Sequence, residues 1–221
     1  MTWIKICGTT NLEDALTAVD AGADALGFVF YEKSPRNVSV EAVREIVAKL
    51  PESVEKVGVF VNENEGTIGS VIDGTGISAV QMHGDHEDPR VADLVVKSRP
   101  HVKVLAAISM HHPNPQGQAM VWHADVVRAF LVDSGSSAKH GGTGETFDWD
   151  AAAPVLADIK RIGRVVAAGG LSAENVAEAI GILKPWGVDV VSGVEARPGK
   201  KDPGKVRAFL RAVREIDRKV S

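Results

Sequence analysis

The sequence predicts a single (β/α)8 barrel, the TIM-barrel fold, with eight parallel strands. Eight short apolar runs rich in β-branched residues alternate with longer stretches of helical period over 221 residues. A doubly wound sheet more usually has about five or six strands, whereas a compact barrel of this kind starts at about 200 residues. We therefore expect one domain that spans residues 1–221.

The strand candidates are buried-looking runs bounded by polar residues or glycine. In chain order they cover residues 3–6, 25–30, 56–60, 79–82, 103–108, 129–132, 164–167 and 188–191. We expect the barrel core to be filled by ten apolar residues of these runs. They are Ile4, Ile6, Phe28, Val57, Val59, Val80, Val104, Leu131, Val165 and Val190.

The helix candidates follow the strands one by one. They cover residues 12–21, 40–50, 65–73, 89–98, 151–162, 173–183 and 203–219. Thr10 and Glu13 predict a capping box at the first helix, and Asp202 before Pro203 predicts an N-cap followed by proline at the first helical position. Pro, Gly and Gln break the period between residues 113 and 127, so the fifth helix is expected to be irregular or missing.

Composition excludes several classes of function. A net charge of -4 gives no basic stripe for nucleic acid, and no window approaches the roughly 18 apolar residues of a membrane span. The apolar run at the amino terminus is too short for a signal peptide, so we expect a cytoplasmic protein. The chain has one cysteine, Cys7, which cannot form an internal disulfide or a thiolate metal cage.

Polar residues and glycines cluster where the predicted strands end, and in a (β/α)8 barrel the active site lies at that end. The residues that follow the strands include Cys7-Gly8, the segment 33–36, Asn62, His83-Gly84, Asp133, Gly169-Gly170 and Ser192-Gly193. This rim of the barrel is therefore the predicted location of the functional site.

Three successive loops of this rim predict a phosphate site. Glycine lets the backbone approach phosphate oxygens closely, and barrels often bind phosphate after the seventh and eighth strands. The residues concerned are Gly142, Thr143 and Gly144 after the sixth strand, Gly169 and Gly170 after the seventh, and Ser192 and Gly193 after the eighth. We expect the partner to be a small phosphorylated molecule.

Seven histidines raise the possibility of a metal site, but their spacing does not favour one. Zinc needs three or four converging ligands, and the sequence has no HExxH-like helical pair. We therefore expect no metal and interpret the loop histidines as solvated, with His83 lining the pocket. The other loop histidines considered are His86, His111, His112 and His140.

The chain resembles the phosphoribosylanthranilate isomerase family, and the motifs that carry the resemblance run from the first strand to the last helix. They are residues 5–8 (KICG), 27–30 (GFVF), 33–36 (KSPR), 57–62 (VGVFVN), 80–84 (VQMHG), 133–134 (DS), 141–144 (GGTG), 147–149 (FDW), 168–171 (AGGL), 192–195 (SGVE), 198–199 (PG) and 201–202 (KD). The resemblance implies a barrel that catalyses an Amadori rearrangement in tryptophan biosynthesis without metal or organic cofactor.

The resemblance also implies roles for single residues. It assigns the general base to Cys7 and the general acid to Asp133, and such a pair needs a thiolate and a neutral carboxylic acid. Arg36 is the candidate for the anthranilate carboxylate, because a guanidinium can donate two parallel hydrogen bonds to a carboxylate. From the sequence alone, a solvated surface position for Arg36 is an equal alternative.

Two other functions and two oligomeric states stay open at this point. A histidine-pathway aminoimidazole sugar-phosphate isomerase shares the barrel and the rearrangement, but that family has an aspartate where Cys7 stands. A catalytically silent phosphate-binding barrel is the alternative from another class. The sequence does not distinguish a monomer from a homodimer.

Overall fold

The computed structural model describes residues 1–83, 88–134 and 148–220, and within them the main strands form one closed barrel. The barrel strands are β1 (Trp3–Ile6), β2 (Ala25–Phe30), β3 (Glu55–Val61), β4 (Ala79–His83), β5 (Lys103–Ser109), β6 (Val127–Asp133), β7 (Arg164–Ala167) and β8 (Gly187–Val190). All neighbouring pairs are parallel, and β8 pairs with β1 to close the sheet. The predicted (β/α)8 architecture is confirmed.

A helix follows each strand or its loop. The helices are α1 (Leu12–Asp20), α2 (Val40–Val47), α3 (Glu65–Thr75), α4 (Pro89–Ser98), α5 (Pro115–Met120), α6 (Trp149–Ile162), α7 (Val176–Leu183) and α8 (Pro203–Val220). Over the described part of the chain, none of them combines the length and the apolar character that crossing a membrane requires.

The fifth helix is present but short. Asn114 accepts a hydrogen bond from the Gly117 amide, and Pro115 occupies the first turn, so a single stretch of six residues forms before the chain turns. The loss of helical period that the sequence shows here therefore shortens α5 rather than removing it.

The predicted capping box at α1 is wrong. Asn11 is the N-cap, and its side-chain oxygen accepts from the Asp14 amide while its Nδ2 donates to the Asp14 carboxylate. The Thr10 hydroxyl instead donates to the carbonyl oxygen of Gly199 at 2.6 Å, across the rim. The predicted Asp202 cap of α8 is confirmed, because Asp202 accepts from the Lys205 amide at 3.0 Å.

A short insertion between β8 and α8 was not predicted. A 3-10 helix (Ser192–Val194) leads into a two-stranded antiparallel hairpin, β9 (Glu195–Arg197) and β10 (Lys200–Lys201). The hairpin turns at Gly199, whose φ of 80° lies in the left-handed region that favours glycine. Strands of three and two residues are too short to show an alternating pattern, so the sequence carries no period-two signal for them.

Apolar residues cluster on both sides of the strands, and nine of the ten predicted core residues belong to one of these two clusters. Val59 is buried but belongs to neither. All ten are buried. Seven, namely Ile4, Ile6, Phe28, Val80, Val104, Val165 and Val190, pack in the cluster between the strands and the helices. Only Val57 and Leu131 belong to the cluster inside the barrel, beside Trp3, Ala25, Ala79, Leu105, Ala129, Val166 and Ala168. Most of the residues that were predicted to fill the barrel therefore pack outside it, against the helices. The reason is that alternate residues of each strand face opposite sides of the sheet.

The amino end of the barrel is closed by two stacked indoles. The Trp3 and Trp186 rings lie 5.1 Å apart, and the Arg128 guanidinium lies 5.8 Å and 5.2 Å from their centroids. Arg164 lies 4.9 Å from the Trp186 ring, and Arg128 also donates to the Glu55 carboxylate. This aromatic and cationic plug seals the face opposite the predicted site.

Candidate active site

Strand alternation directs three polar side chains toward the same barrel mouth. Asp133 follows the interior residue Leu131 by two positions on β6, and Cys7 follows the interior residue Trp3 by four on β1. His83 lies four positions after the interior Ala79 on β4. Because every second residue of a strand faces the same side, all three belong to the interior face at the carboxyl end.

Cys7 is held at the end of β1 by the backbone. Its amide donates to the Val190 carbonyl at 2.9 Å, and its side chain is buried against Gly27. A Cβ at Gly27 would lie 2.5 Å from the Cys7 sulfur, so the thiol fits only beside glycine. Burial raises the pKa of the Cys7 thiol, and the positive charges of Lys5 and Lys201 oppose that rise.

Asp133 and His83 lie next to each other although they come from different strands. His83 Nε2 is 3.8 Å from Asp133 Oδ2, and both side chains are largely buried. Ser134 Oγ lies 3.4 Å from the other carboxylate oxygen of Asp133 and donates to it. The imidazole and the carboxyl group therefore share one corner of the mouth, between β4 and β6.

A buried polar layer lies one step deeper in the barrel. The Lys5 ammonium donates to Gln81 Oε1 at 2.8 Å and to Asp189 Oδ1 at 2.9 Å. Burial by itself lowers the pKa of Lys5, but the attraction of the Asp189 carboxylate and of Cys7 outweighs it, so the pKa is raised. This layer therefore contains a buried ion pair between β1 and β8.

Arg36 is a buried residue, so the surface alternative is wrong. Its Nε and Nη2 donate to the two carboxylate oxygens of Glu195 at 2.9 Å and 2.7 Å. Its aliphatic stem lies against Gly8, where an added Cβ would come within 2.6 Å of the Arg36 Cδ. Glu195 therefore orients one edge of the guanidinium, on the hairpin side of the mouth.

Lys201 ties the hairpin to the strand ends. Its ammonium, which is almost fully buried, donates to the Cys7 carbonyl at 2.5 Å and to the Val191 carbonyl at 3.2 Å. It also lies 3.3 Å from Glu195. One side chain thus joins the ends of β1 and β8 to the hairpin residue that orients Arg36.

The loops after β7 and β8 pack against each other. Gly169 and Gly170 have φ values of 84° and 63°, and Nδ2 of the Asn175 side chain donates to the Gly170 carbonyl at 3.0 Å. A Cβ at Gly193 would overlap the carbonyl oxygen of Leu171. Glycine at these positions lets two backbone segments meet at the rim where a phosphate site was expected.

Some of the predicted site residues lie outside the part of the chain that the structure describes. These are Gly142, Thr143 and Gly144 of the predicted phosphate loop, and His86 and His140 among the histidines. Over the described part of the chain, no group of three or more His, Cys, Asp or Glu side chains is arranged to hold a metal ion.

Sequence reasoning missed five polar residues that frame the site. They are Lys5, Gln81, Asp189, Glu195 and Lys201. Four of them lie in the family motifs quoted above, which gave them no role: Lys5, Gln81, Glu195 and Lys201. Lys5 and Asp189 also carry a second signal, because they are charged residues inside short apolar strands. Charged residues are almost never fully buried unless they are paired, so each of them predicts a partner.

The fold and the site define a class of protein: a (β/α)8-barrel enzyme with ionisable side chains buried at the carboxyl ends of its strands. A sequence profile of the N-(5'phosphoribosyl)anthranilate (PRA) isomerase family matches residues 4–212. The chain belongs to this family.

Individual relatives agree over almost the whole length. The N-(5'-phosphoribosyl)anthranilate isomerase of Pelobacter propionicus is 47% identical over 212 residues, which cover 96% of this chain and 95% of the relative. A solved structure of monomers of the dimeric enzyme from Thermotoga maritima has 38% identity and a TM-score of 0.83, and covers 97% of this chain and 100% of that chain. A phosphoribosylanthranilate isomerase solved with reduced 1-(o-carboxyphenylamino)-1-deoxyribulose 5-phosphate gives the same identity, TM-score and coverage.

Proposed function

We propose that this chain catalyses the Amadori rearrangement of N-(5'-phosphoribosyl)anthranilate to 1-(2-carboxyphenylamino)-1-deoxyribulose 5-phosphate in tryptophan biosynthesis. The observation that carries the proposal is the family match over residues 4–212, in a chain whose β1 and β6 end in Cys7 and Asp133. A thiol and a carboxyl group at one barrel mouth suit a reaction made of proton transfers.

Asp133 acts as the general acid in the first step. It donates a proton to the ring oxygen of the aminated ribose, the bond from C1' to the ring oxygen breaks, and the anthranilate nitrogen forms a protonated Schiff base with C1'. The acid must be neutral before the step, so Asp133 has to hold a proton in the bound complex. His83, 3.8 Å from that carboxylate, lines the same corner of the site.

Cys7 acts as the general base in the second step. Its thiolate takes the proton from C2', the electrons of that bond form a C1'–C2' double bond, and the nitrogen becomes neutral in an enolamine. The enolamine then tautomerises to the ketone. Two strands, β7 and β8, separate β6 from β1 in the closed barrel, so acid and base approach the sugar from different sides of the mouth.

The remaining residues bind the two ends of the substrate. Arg36 binds the anthranilate carboxylate with the donors that Glu195 does not engage. The phosphate is bound by the glycine-rich loops, to which the proposal assigns Gly142, Thr143, Gly144, Gly169, Gly170, Ser192 and Gly193. Every step is a proton transfer, so the proposal assigns no metal and no organic cofactor.

An assay of the purified protein tests this function directly. Loss of phosphoribosylanthranilate fluorescence is followed for the wild type and for Cys7→Ser and Asp133→Asn. Each substitution is expected to lower kcat by roughly 10²–10⁴-fold, the usual contribution of one general acid or base. The exposed Asp20 on α1 supplies a control, because Asp20→Asn removes a carboxylate far from the mouth and leaves turnover unchanged.

Three outcomes would contradict the proposal or one of its role assignments. Near-normal turnover in a folded Cys7→Ser or Asp133→Asn variant would remove that residue from its role. Turnover of the aminoimidazole substrate of the histidine pathway, without turnover of phosphoribosylanthranilate, would favour the related isomerase. Binding of the phosphorylated substrate without any turnover would favour a silent phosphate-binding barrel.

The proposed enzyme is cytoplasmic and acts on a small phosphorylated molecule. Its oligomeric state is either a monomer or a homodimer, and the relative from Thermotoga maritima is described as dimeric. Sedimentation equilibrium at the assay concentration distinguishes the two states, since the chain mass is 23.4 kDa.

A further inference from the structure

A lysine inside the barrel has no part in the two proton transfers. Lys5 is fully buried on the interior face of β1, and its ammonium contacts Gln81 on β4 and Asp189 on β8. Strands β1 and β4 are three apart around the barrel, so this contact crosses the interior. Burying an ion pair carries a large desolvation penalty, and well-packed apolar residues often stabilise a core as well or better.

The next interior position along β1 is Cys7. Lys5 and Cys7 are two residues apart and both are buried, so their side chains are neighbours on the interior face. The positive charge of Lys5 opposes the rise that burial causes in the pKa of the Cys7 thiol. A buried thiol resists ionisation, whereas a neighbouring cation favours the thiolate. Lys5 therefore supplies the charge that a buried base of this kind needs.

Other charged groups act on the same thiol from neighbouring elements. Lys201 on β10 adds a positive charge, although its ammonium hydrogen-bonds to the Cys7 carbonyl rather than to the sulfur. The Asp189 carboxylate on β8 opposes ionisation of Cys7, and Asp133 on β6 acts on Asp189 in turn. Lys5 and Asp189 thus act on Cys7 with opposite signs.

We infer that Lys5 is a positioning residue that stabilises the thiolate form of Cys7 from the neighbouring interior position of β1. The inference rests on the proposed function, in which Cys7 is the base. It extends that function to a residue one interior layer below the proposed base.

The test is a pH titration of the thiol. Cys7 is the only cysteine of the chain, so the ultraviolet absorbance of the thiolate, with Cys7→Ser as the blank, reports this group alone. Lys5→Met is expected to raise the titration midpoint of Cys7 by roughly 1–3 pH units, the usual effect of losing a nearby opposite charge. The rising acidic limb of the kcat/KM profile should move to higher pH with it.

Two matched variants separate charge from structure. Lys5→Arg keeps the charge and should restore a midpoint close to that of the wild type. Asp189→Asn removes the opposing carboxylate and should lower the midpoint, a change that general loosening of the core would not produce. The Lys5→Met/Asp189→Asn double variant balances the buried charge and should titrate between the wild type and Lys5→Met.

An unchanged midpoint in folded Lys5→Met would overturn the inference. If that variant does not fold, a midpoint in Asp189→Asn that stays level or rises would overturn it instead. Failure of the proposed function looks different, because Cys7→Ser would then retain turnover while the thiol midpoint of Lys5→Met still moved.

Discussion

The guanidinium of Arg36 and the carboxylate of Glu195 are joined by two hydrogen bonds of 2.9 Å and 2.7 Å, although 159 residues separate them in the chain. Both side chains are buried, and the Gly199 amide donates to the same carboxylate at 3.2 Å. Glu195 therefore fixes the plane of the Arg36 guanidinium. In the proposed function, this preorganisation lowers the entropy cost of substrate binding.

Glu195→Gln should weaken substrate binding more than it slows chemistry. The glutamine amide keeps the shape of the carboxylate but offers only one acceptor oxygen. Arg36 therefore keeps one of its two hydrogen bonds, and the plane of its guanidinium is no longer fixed. We expect KM for phosphoribosylanthranilate to rise about tenfold, as for the loss of about 1.4 kcal/mol, with a smaller change in kcat. Arg36→Lys is the matched control, because it keeps the charge without the fork. An unchanged KM in both variants would mean that this pair serves stability alone.

Acid should destabilise the protein through Glu195. Burial alone would raise the pKa of Glu195, but hydrogen bonds from Arg36 and the charge of Lys201 hold it below its ordinary value of 4.5. The folded pKa lies below the unfolded one, so the stabilisation is complete above the unfolded pKa and is lost as pH falls through the folded pKa. Urea unfolding between neutral and acidic pH should show a smaller loss of stability in Glu195→Gln than in the wild type. An equal loss of unfolding free energy in the two proteins as the pH falls would contradict this prediction.

Gly193→Ala should push apart the loops that follow β7 and β8. The new methyl group would overlap the Leu171 carbonyl oxygen, so the two loops must separate. We expect a destabilisation of about 1–3 kcal/mol and a higher KM, both measured on the purified variant. Gly181→Ala on α7 is the control, because no atom lies within 4 Å of its Cβ position and alanine favours the helix. Equal unfolding free energies and equal KM values in the two variants would show that the loop contact at Gly193 has no effect on the site.

Arg128→Ala should lower stability without changing catalysis. The guanidinium covers the stacked Trp3 and Trp186 rings and donates to Glu55, all at the end of the barrel opposite the mouth. Loss of the cation–π contacts and of the charged hydrogen bond should cost about 1–3 kcal/mol in urea unfolding. Arg161→Ala, at an exposed site on α6, should stay within about 0.5 kcal/mol of the wild type. A fall in kcat/KM of Arg128→Ala in native buffer would mean that the plug is coupled to the site.

Much of the fold was predictable because its signals are local. The periods of apolar residues located the strands and helices. Seven of the eight strands agree with the prediction within one residue at both ends, and only β6 begins two residues earlier than predicted. The sites of Cys7 and Asp133 at strand ends follow from the same pattern. The layer that each apolar residue joins was less predictable, since a strand buried on both faces shows no alternation to read.

The sequence by itself determined the barrel, the family and the residue types at the rim, because periodicity and motif spacing are properties of nearby residues. Only the tertiary structure decided which polar groups meet: Lys5 with Gln81 across the barrel, Arg36 with Glu195, and Lys201 with the carbonyl of Cys7. The ionisation of Cys7 belongs to this second group. It depends on burial and on charges brought near by closure of the barrel, and these distances through space are not encoded in any one stretch of chain.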